Sequence, residues 1–224
     1  MMRLNPGDEY PVVILSNRDE AYDRPSGDWD WRGEQGRIFA PTDLQAGGTW
    51  IGFNDRGVAA ALTNIFPSGE SGEFRSRGAL VMSMLQLDRA TETSKAMEQM
   101  LGEGSYNHFN LLVADARSAY LYSWADEQLD AFELLPGVYQ VNNVPYRGSD
   151  MANPGIDNEQ WLAKESWRLT KHPDVCRHGE GYGTCCSHKL LVHGSKPRQS
   201  RVWHLEGHPC EGEYQVVLGA KENS

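Results

Sequence analysis

The first 175 residues contain no cysteine; all four thiols stand at 176, 185, 186 and 210. That distribution does not describe a disulfide scaffold of the secreted kind, and the vicinal pair Cys185-Cys186 could bridge only with strain, so reduced thiols are expected. Long apolar runs are also missing. None approaches the roughly 18 to 20 residues of a membrane span, and none at the N-terminus suits a signal peptide, so the expected location is the cytoplasm. Positive charge is in deficit: 21 Lys and Arg face 31 Asp and Glu, a formal net charge of −10. This argues against nucleic-acid phosphate or an anionic membrane surface as partner. There is no internal repeat and no low-complexity tract.

What is present is one core's worth of chain. A length of 224 residues with no compositional break reads as a single domain, 1–224. Seven Trp supply large anchors for a core or a ligand cleft. Strands are expected at 12–16, 49–54 and 58–63, the last two forming a hairpin through Asn54-Asp55-Arg56-Gly57. Val58-Ala59-Ala60-Ala61-Leu62 is small and apolar on both faces, which demands a layer above and a layer below. A helix capped by Ser76 would align Leu80, Val81, Met84 and Leu85, and a second would align Ala96, Met97, Met100 and Leu101 and stop at Gly102. A meander at about 109–114, 119–124, 129–134 and 138–142 follows, then a loop from Tyr146 to Asn158, a helix from Glu159 to Leu169, and closing strands at 184–192, 201–205 and 214–218. Strands, helices and strands in that order fit two stacked, mostly antiparallel sheets between helices, an α+β class.

The most informative residues are Asn17-Arg18-Asp19-Glu20, directly after the apolar run Val12-Val13-Ile14-Leu15. They place a permanent cation and two carboxylates at the end of a buried strand. Such an arginine either pairs with its acidic neighbours or faces a cleft and holds an anion. Read locally, the tetrad is a solvated turn. The ordered series Asn17-Arg18-Asp19-Glu20, Arg24-Pro25, Ala46-Gly47-Gly48-Thr49-Trp50-Ile51-Gly52, Ala61-Leu62-Thr63-Asn64 and Arg75-Ser76-Arg77-Gly78 resembles the NRDE family, which includes the transport and Golgi organisation 2 proteins. The likeness continues through Phe109-Asn110-Leu111-Leu112-Val113, Pro136-Gly137, Val141-Asn142-Asn143 and Cys176-Arg177-His178-Gly179-Glu180.

That resemblance implies the four-layer αββα sandwich of the N-terminal nucleophile (Ntn) hydrolases. It also implies a cleft in which Arg18 and Asp19 would hold and tune a nucleophile, Asn64 would sit beside it and Asn143 would stabilise an oxyanion, with Asn17, Arg18 and Trp50 contacting a ligand. The chain departs from the family at its start. It opens Met1-Met2-Arg3-Leu4, where relatives carry Met-Cys and a short apolar strand. Either the first strand lies upstream or the nucleophile is lost; as it stands the chain is expected to be inactive as an amidase. The ligand would be a small anionic or amide molecule for a C–N hydrolase, or haem or an acyl-CoA-like lipid for a binding or trafficking protein. No resident cofactor is expected.

All four Cys and six of the seven His lie between His172 and Cys210. Thiolate and imidazole are ligands for zinc, copper and haem iron, but the spacing matches no standard finger. On a strand, Cys186 and His188 share a face and Cys185 points away. Core thiols and surface imidazoles without a bound metal are expected.

Overall fold

A computed structural model describes residues 1–66, 73–148, 163–166, 168, 172–173 and 175–219. Two antiparallel sheets dominate it. The first has the order β10-β1-β2-β11-β12-β13, with β1 Met2–Leu4, β2 Val12–Ala21, β10 Gly137–Tyr139, β11 Tyr182–Val192, β12 Arg201–Glu206 and β13 Gln215–Leu218. The second runs β3-β4-β5-β6-β7-β8-β9, with β3 Ser26–Arg32, β4 Ile38–Asp43, β5 Ile51–Asn54, β6 Ala59–Asn64, β7 Phe109–Ala114, β8 Ala119–Ala125 and β9 Gln128–Glu133. Two helices, α1 Arg77–Met84 and α2 Thr93–Gly102, cover the outer face of the second sheet.

The layering follows from strand alternation. Val12, Ile14, Leu190 and Val202 of the first sheet meet Phe39, Phe53, Ala59 and Leu121 of the second in one buried cluster. Their neighbours Val13, Leu15 and Leu191 form a separate cluster on the first sheet's outer face. In β6, Ala59 faces the inter-sheet core and Ala60 packs with Leu80, Val81 and Met84 of α1. The small, doubly apolar strand is therefore central, as its sequence requires. The expected helix over 159–169 and the expected loop over 146–158 lie mostly outside the described residues; residues 163–166 and 168 are helical.

Several expectations are corrected. The tetrad Asn17–Glu20 is not at the end of a strand but inside β2, because the long β11 pairs with it as far as Tyr182↔Ala21. The segment 138–142 does not close a meander; β10 crosses to the first sheet and pairs with β1. Met2–Leu4 form a strand of their own, inserted between β10 and β2. Ser76 holds the N-cap position of α1, yet its hydroxyl makes no capping hydrogen bond. β3 and β4 went unread because Gly27, Asp28 and Asp30 mask the alternation of Trp29 and Trp31, which both pack on the inter-sheet core.

Two loops cross at close range beside the sheet ends. A Cβ on Gly48 would fall 2.6 Å from the backbone carbon of Gly78, and Thr49 N–H donates to Gly78 C=O at 3.4 Å. Only glycine permits that approach, and Gly47, with φ +74°, supplies the turn leading into it. The crossing ties the backbone of Thr49, next to Trp50, to the first turn of α1.

Candidate functional site

A cavity of about 540 Å³ opens between the sheets, within the range of small-molecule sites. Asn17, Arg18, Asp19, Trp50, Asn64 and Asn143 all line it. The structure thus brings together six residues spread over 127 positions of sequence, including every residue singled out above for a site.

Arg18 is 7% exposed and projects from the inner face of β2. Its guanidinium carbon lies 4.6 Å from the centre of the Trp50 ring, and Nη1 donates to the Arg24 carbonyl at 3.2 Å. Nη2 is buried and has no hydrogen-bond partner among the described residues. A buried donor on a permanent cation is costly unless an anion completes it. Trp50 is held in turn by its Nε1–H, which donates to His188 Nε2 at 3.2 Å.

Asn17 and Asp19 belong to the other face of β2. Asn17 Nδ2 donates to Val175 C=O at 3.0 Å, and the Asp19 carboxylate accepts from Thr184 Oγ1 at 2.7 Å and from Arg177 Nε at 3.3 Å. The change of face is the ordinary alternation of consecutive strand residues, and a bulge in β11 between Thr184 and Cys186 sets Thr184 opposite Asp19 and Cys186 opposite Arg18. Asp19 is therefore already committed to an ion pair and a hydroxyl.

On the far wall, Asn143 Nδ2 donates to Asn64 C=O at 2.8 Å. The loop that carries Asn143 is clamped by a residue to which no site role had been given. Buried Asn110 donates to the carbonyls of Asn142 and Val144 at 3.0 and 2.8 Å and accepts from Tyr146 N–H at 3.2 Å. The signal for Asn110 was a polar residue inside the apolar run Phe109–Val113.

Charge in the cavity is opposite to that of the molecule. Six arginines, at 18, 24, 75, 77, 168 and 177, line it against three carboxylates, Asp19, Glu20 and Asp43. Arg24 bridges Asp43 at 2.5 Å and Glu20 at 3.2 Å. Burial alone would raise the Asp43 carboxyl, but the Arg24 hydrogen bond and charge, with two backbone N–H donors, hold it below its ordinary value. Arg75 pairs with Glu103, Arg168 with Glu165 and Arg177 with Asp19. Arg18 and Arg77 have no carboxylate within 4 Å among the described residues. Arg77 donates to the His108 carbonyl at 2.9 Å, and burial pulls it below the usual arginine range, only partly offset by Glu20.

Met1 and Met2 also line the cavity. Among the described lining residues there is no cysteine. The serines are Ser16 and Ser76, neither of them bonded to a histidine or a carboxylate.

Residues 1–161 match the sequence model of the Transport and Golgi organisation 2 family. The chain belongs to that family. It is 32% identical over 172 residues to the Transport and Golgi organization protein 2 homolog of Homo sapiens, covering 70% of this chain and 62% of that protein. It is 32% identical over 143 residues to the Mus musculus homolog, covering 60% and 51%. The chain thus spans between about half and three fifths of the length of these relatives. Among solved structures it resembles penicillin V acylase from Agrobacterium tumefaciens, with a TM-score of 0.54, 10% identity and coverage of 92% of this chain and 81% of that one. A variant of conjugated bile acid hydrolase from Clostridium perfringens matches with a TM-score of 0.50 and 10% identity over 100% and 98%. At that identity these two establish the fold, which is that of the Ntn hydrolases. The motifs of the family match converge on the cavity, whereas β11, β12 and β13 lie beyond residue 161.

The thiols and imidazoles of that last third gather in two groups, and one imidazole expected at the surface, His188, is buried. His188 is fully buried and contacts Cys186 Sγ at 3.4 Å and His204 Nδ1 at 3.2 Å. Burial, then the nearby His204 and Arg18, push it well below the ordinary histidine value, so the ring is neutral. A second group, Cys176, His178 and Cys210, gathers beyond the cavity wall.

Proposed function

We propose that the cavity binds a small anionic ligand with an apolar body, the negative group held by Arg18 with Arg77 and the body lying against Trp50, Leu62 and Leu112. The observation that carries this reading is the buried, unpartnered Nη2 of Arg18 in a cavity where four of the other five arginines already have carboxylates. A carboxylate or phosphate fits the guanidinium fork, and the Trp50 ring keeps that fork in place. Haem, through its propionates, and an acyl-CoA-like lipid, through its phosphates, are the two ligand classes that the family resemblance suggests.

Titration of the purified chain with haem, a long-chain acyl-CoA and a simple fatty carboxylate, followed by tryptophan fluorescence and calorimetry, tests the reading. At least one should bind, and Arg18→Ala should weaken it roughly tenfold to a hundredfold, the worth of a hydrogen bond to a charged group. Equal affinity of the two proteins for every anion tried would remove Arg18 from the site. Amide hydrolysis, suggested by the names acylase and hydrolase, has less support: no lining thiol is present among the described residues, and one of the two N–H donors of the Asn143 amide that would serve an oxyanion is already given to Asn64.

A further inference from the structure

Cys176, His178 and Cys210 come from two separate stretches of chain. Cys176 and His178 precede β11, and Cys210 follows β12. Their donor atoms nevertheless meet: Cys176 Sγ to Cys210 Sγ is 3.3 Å, His178 Nε2 to Cys210 Sγ is 3.0 Å, and Cys176 Sγ to His178 Nε2 is 3.5 Å. Cys176 is buried, whereas His178 and Cys210 are exposed. The thiols are free, not bridged.

We propose that these three side chains form a zinc site. A tetrahedral ion with Zn–S of about 2.3 Å and Zn–N of about 2.05 Å sets its ligand atoms about 3.8 Å apart for two sulfurs and about 3.6 Å apart for sulfur and nitrogen. The observed triangle is within about half an ångström of that on every edge, and exposed Cys210 is free to make the adjustment. Two thiolates and an imidazole are a soft donor set, suited to zinc and unsuited to magnesium or calcium. The imidazole is also braced: the His208 ring stacks on His178 with centroids 3.9 Å apart. His208 Nδ1 is buried without a hydrogen-bond partner among the described residues, a further nitrogen donor beside the group. The fourth position opens to solvent, on the side where His178 and Cys210 are exposed.

The other cluster shows what a non-site looks like. Around His188, Cys186 approaches Nε2 and His204 approaches Nδ1, so the two potential ligands sit on opposite nitrogens of one ring. Each of those nitrogens already faces an indole N–H, from Trp50 and Trp29 respectively. An ion there would have to displace a tryptophan N–H from whichever His188 nitrogen it took. In the 176–178–210 group all three atoms face one another and no tryptophan intervenes.

The site bears on the cavity without belonging to it. Val175 and Arg177, on either side of Cys176, line the cavity wall. Arg177 holds Asp19, and Val175 C=O accepts from Asn17. Zinc bound through Cys176 and His178 would pin this segment to the Cys210 loop. Thiolate ligation releases thiol protons, so binding weakens as pH falls.

Cobalt titration of the reduced, chelator-stripped full chain is the test. One equivalent should produce thiolate-to-cobalt charge-transfer absorption together with the strong visible bands of a tetrahedral centre, both erased by one equivalent of zinc. Cys210→Ser, a change at an exposed position whose folding is checked by far-ultraviolet circular dichroism, should weaken binding by about a hundredfold or more, beyond the usual loss for an outer-shell partner. Cys185→Ser should bind as the parent does. Absence of the charge-transfer band, unchanged affinity in Cys210→Ser, or a Cys176–Cys210 disulfide that survives reductant and leaves no thiol for the ion would each overturn the proposal.

Discussion

His188 shows how much one side chain can be asked to do. Two indole N–H groups point at its two ring nitrogens, each at 3.2 Å, yet a neutral imidazole has only one lone pair to offer. Protonation would make this worse, adding a cation beside Arg18 and leaving no acceptor for either tryptophan. The folded state therefore resists the proton that an unfolded histidine takes up near its ordinary value of 6.5. Because the unfolded chain then holds more protons than the folded one, stability is full above that value and is lost as pH falls below it. Urea unfolding at about pH 7.5 and about pH 5.5 should show the loss. In His188→Gln the difference should shrink. An unchanged slope in that variant would show that His188 does not carry the effect.

The decisive contact between elements is the crossing of the loop before β5 with the start of α1. Gly48→Ala would drive a methyl group into the backbone of Gly78, which cannot rotate away, so α1 or Trp50 must shift. Overpacking of this kind costs about 1–3 kcal/mol, readable as a lower denaturation midpoint. Ligand affinity should fall with it, since Trp50 supports Arg18; loss of stability without loss of affinity would show that the crossing does not position the site. The same crossing explains why Ala46–Gly52 and Arg75–Gly78 were conspicuous in the sequence: each motif is the other's steric partner. Elements with strong local patterns were legible, among them α1, α2, the β5–β6 hairpin and β7, because their apolar spacing reports the face they bury. β1, β3 and β4 were not, because a three-residue strand and a strand broken by Gly27 and Asp28 are defined by their neighbours; β10 was legible as a strand at 138–142 but not its pairing with β1. The length of β2 was misjudged for the same reason, since its polar half is made a strand by β11. Of the cavity, Arg18, Asp19, Asn64 and Asn143 could be named from family order, but neither the pairing of Asp19 nor the clamp formed by Asn110 has any local signature.

At the scale of the molecule, the sheet that holds Arg18 depends on the part of the chain beyond the family match. β11 supplies the whole length of β2's second edge, and Leu190, Val192 and Val202 close the inter-sheet core. A fragment of residues 1–161 would leave the first sheet with β10, β1 and β2 only, and an apolar face uncovered. It should lack cooperative unfolding and near-ultraviolet dichroism and should bind ANS. A sharp thermal transition of that fragment would show that the sheet can be completed without β11. The long β2–β11 pairing has one more consequence. Arg18 and Asp19 are consecutive and leave the strand on opposite faces, so the sign of the cavity is written in the pairing register and not in composition. One residue deleted between Leu15 and Arg18, absorbed as a slip against β11, would present Asp19's carboxylate to the Trp50 ring and turn the cation outward. The cation proposed to hold the ligand's negative group would leave the pocket and a carboxylate would take its place, with no amino acid replaced.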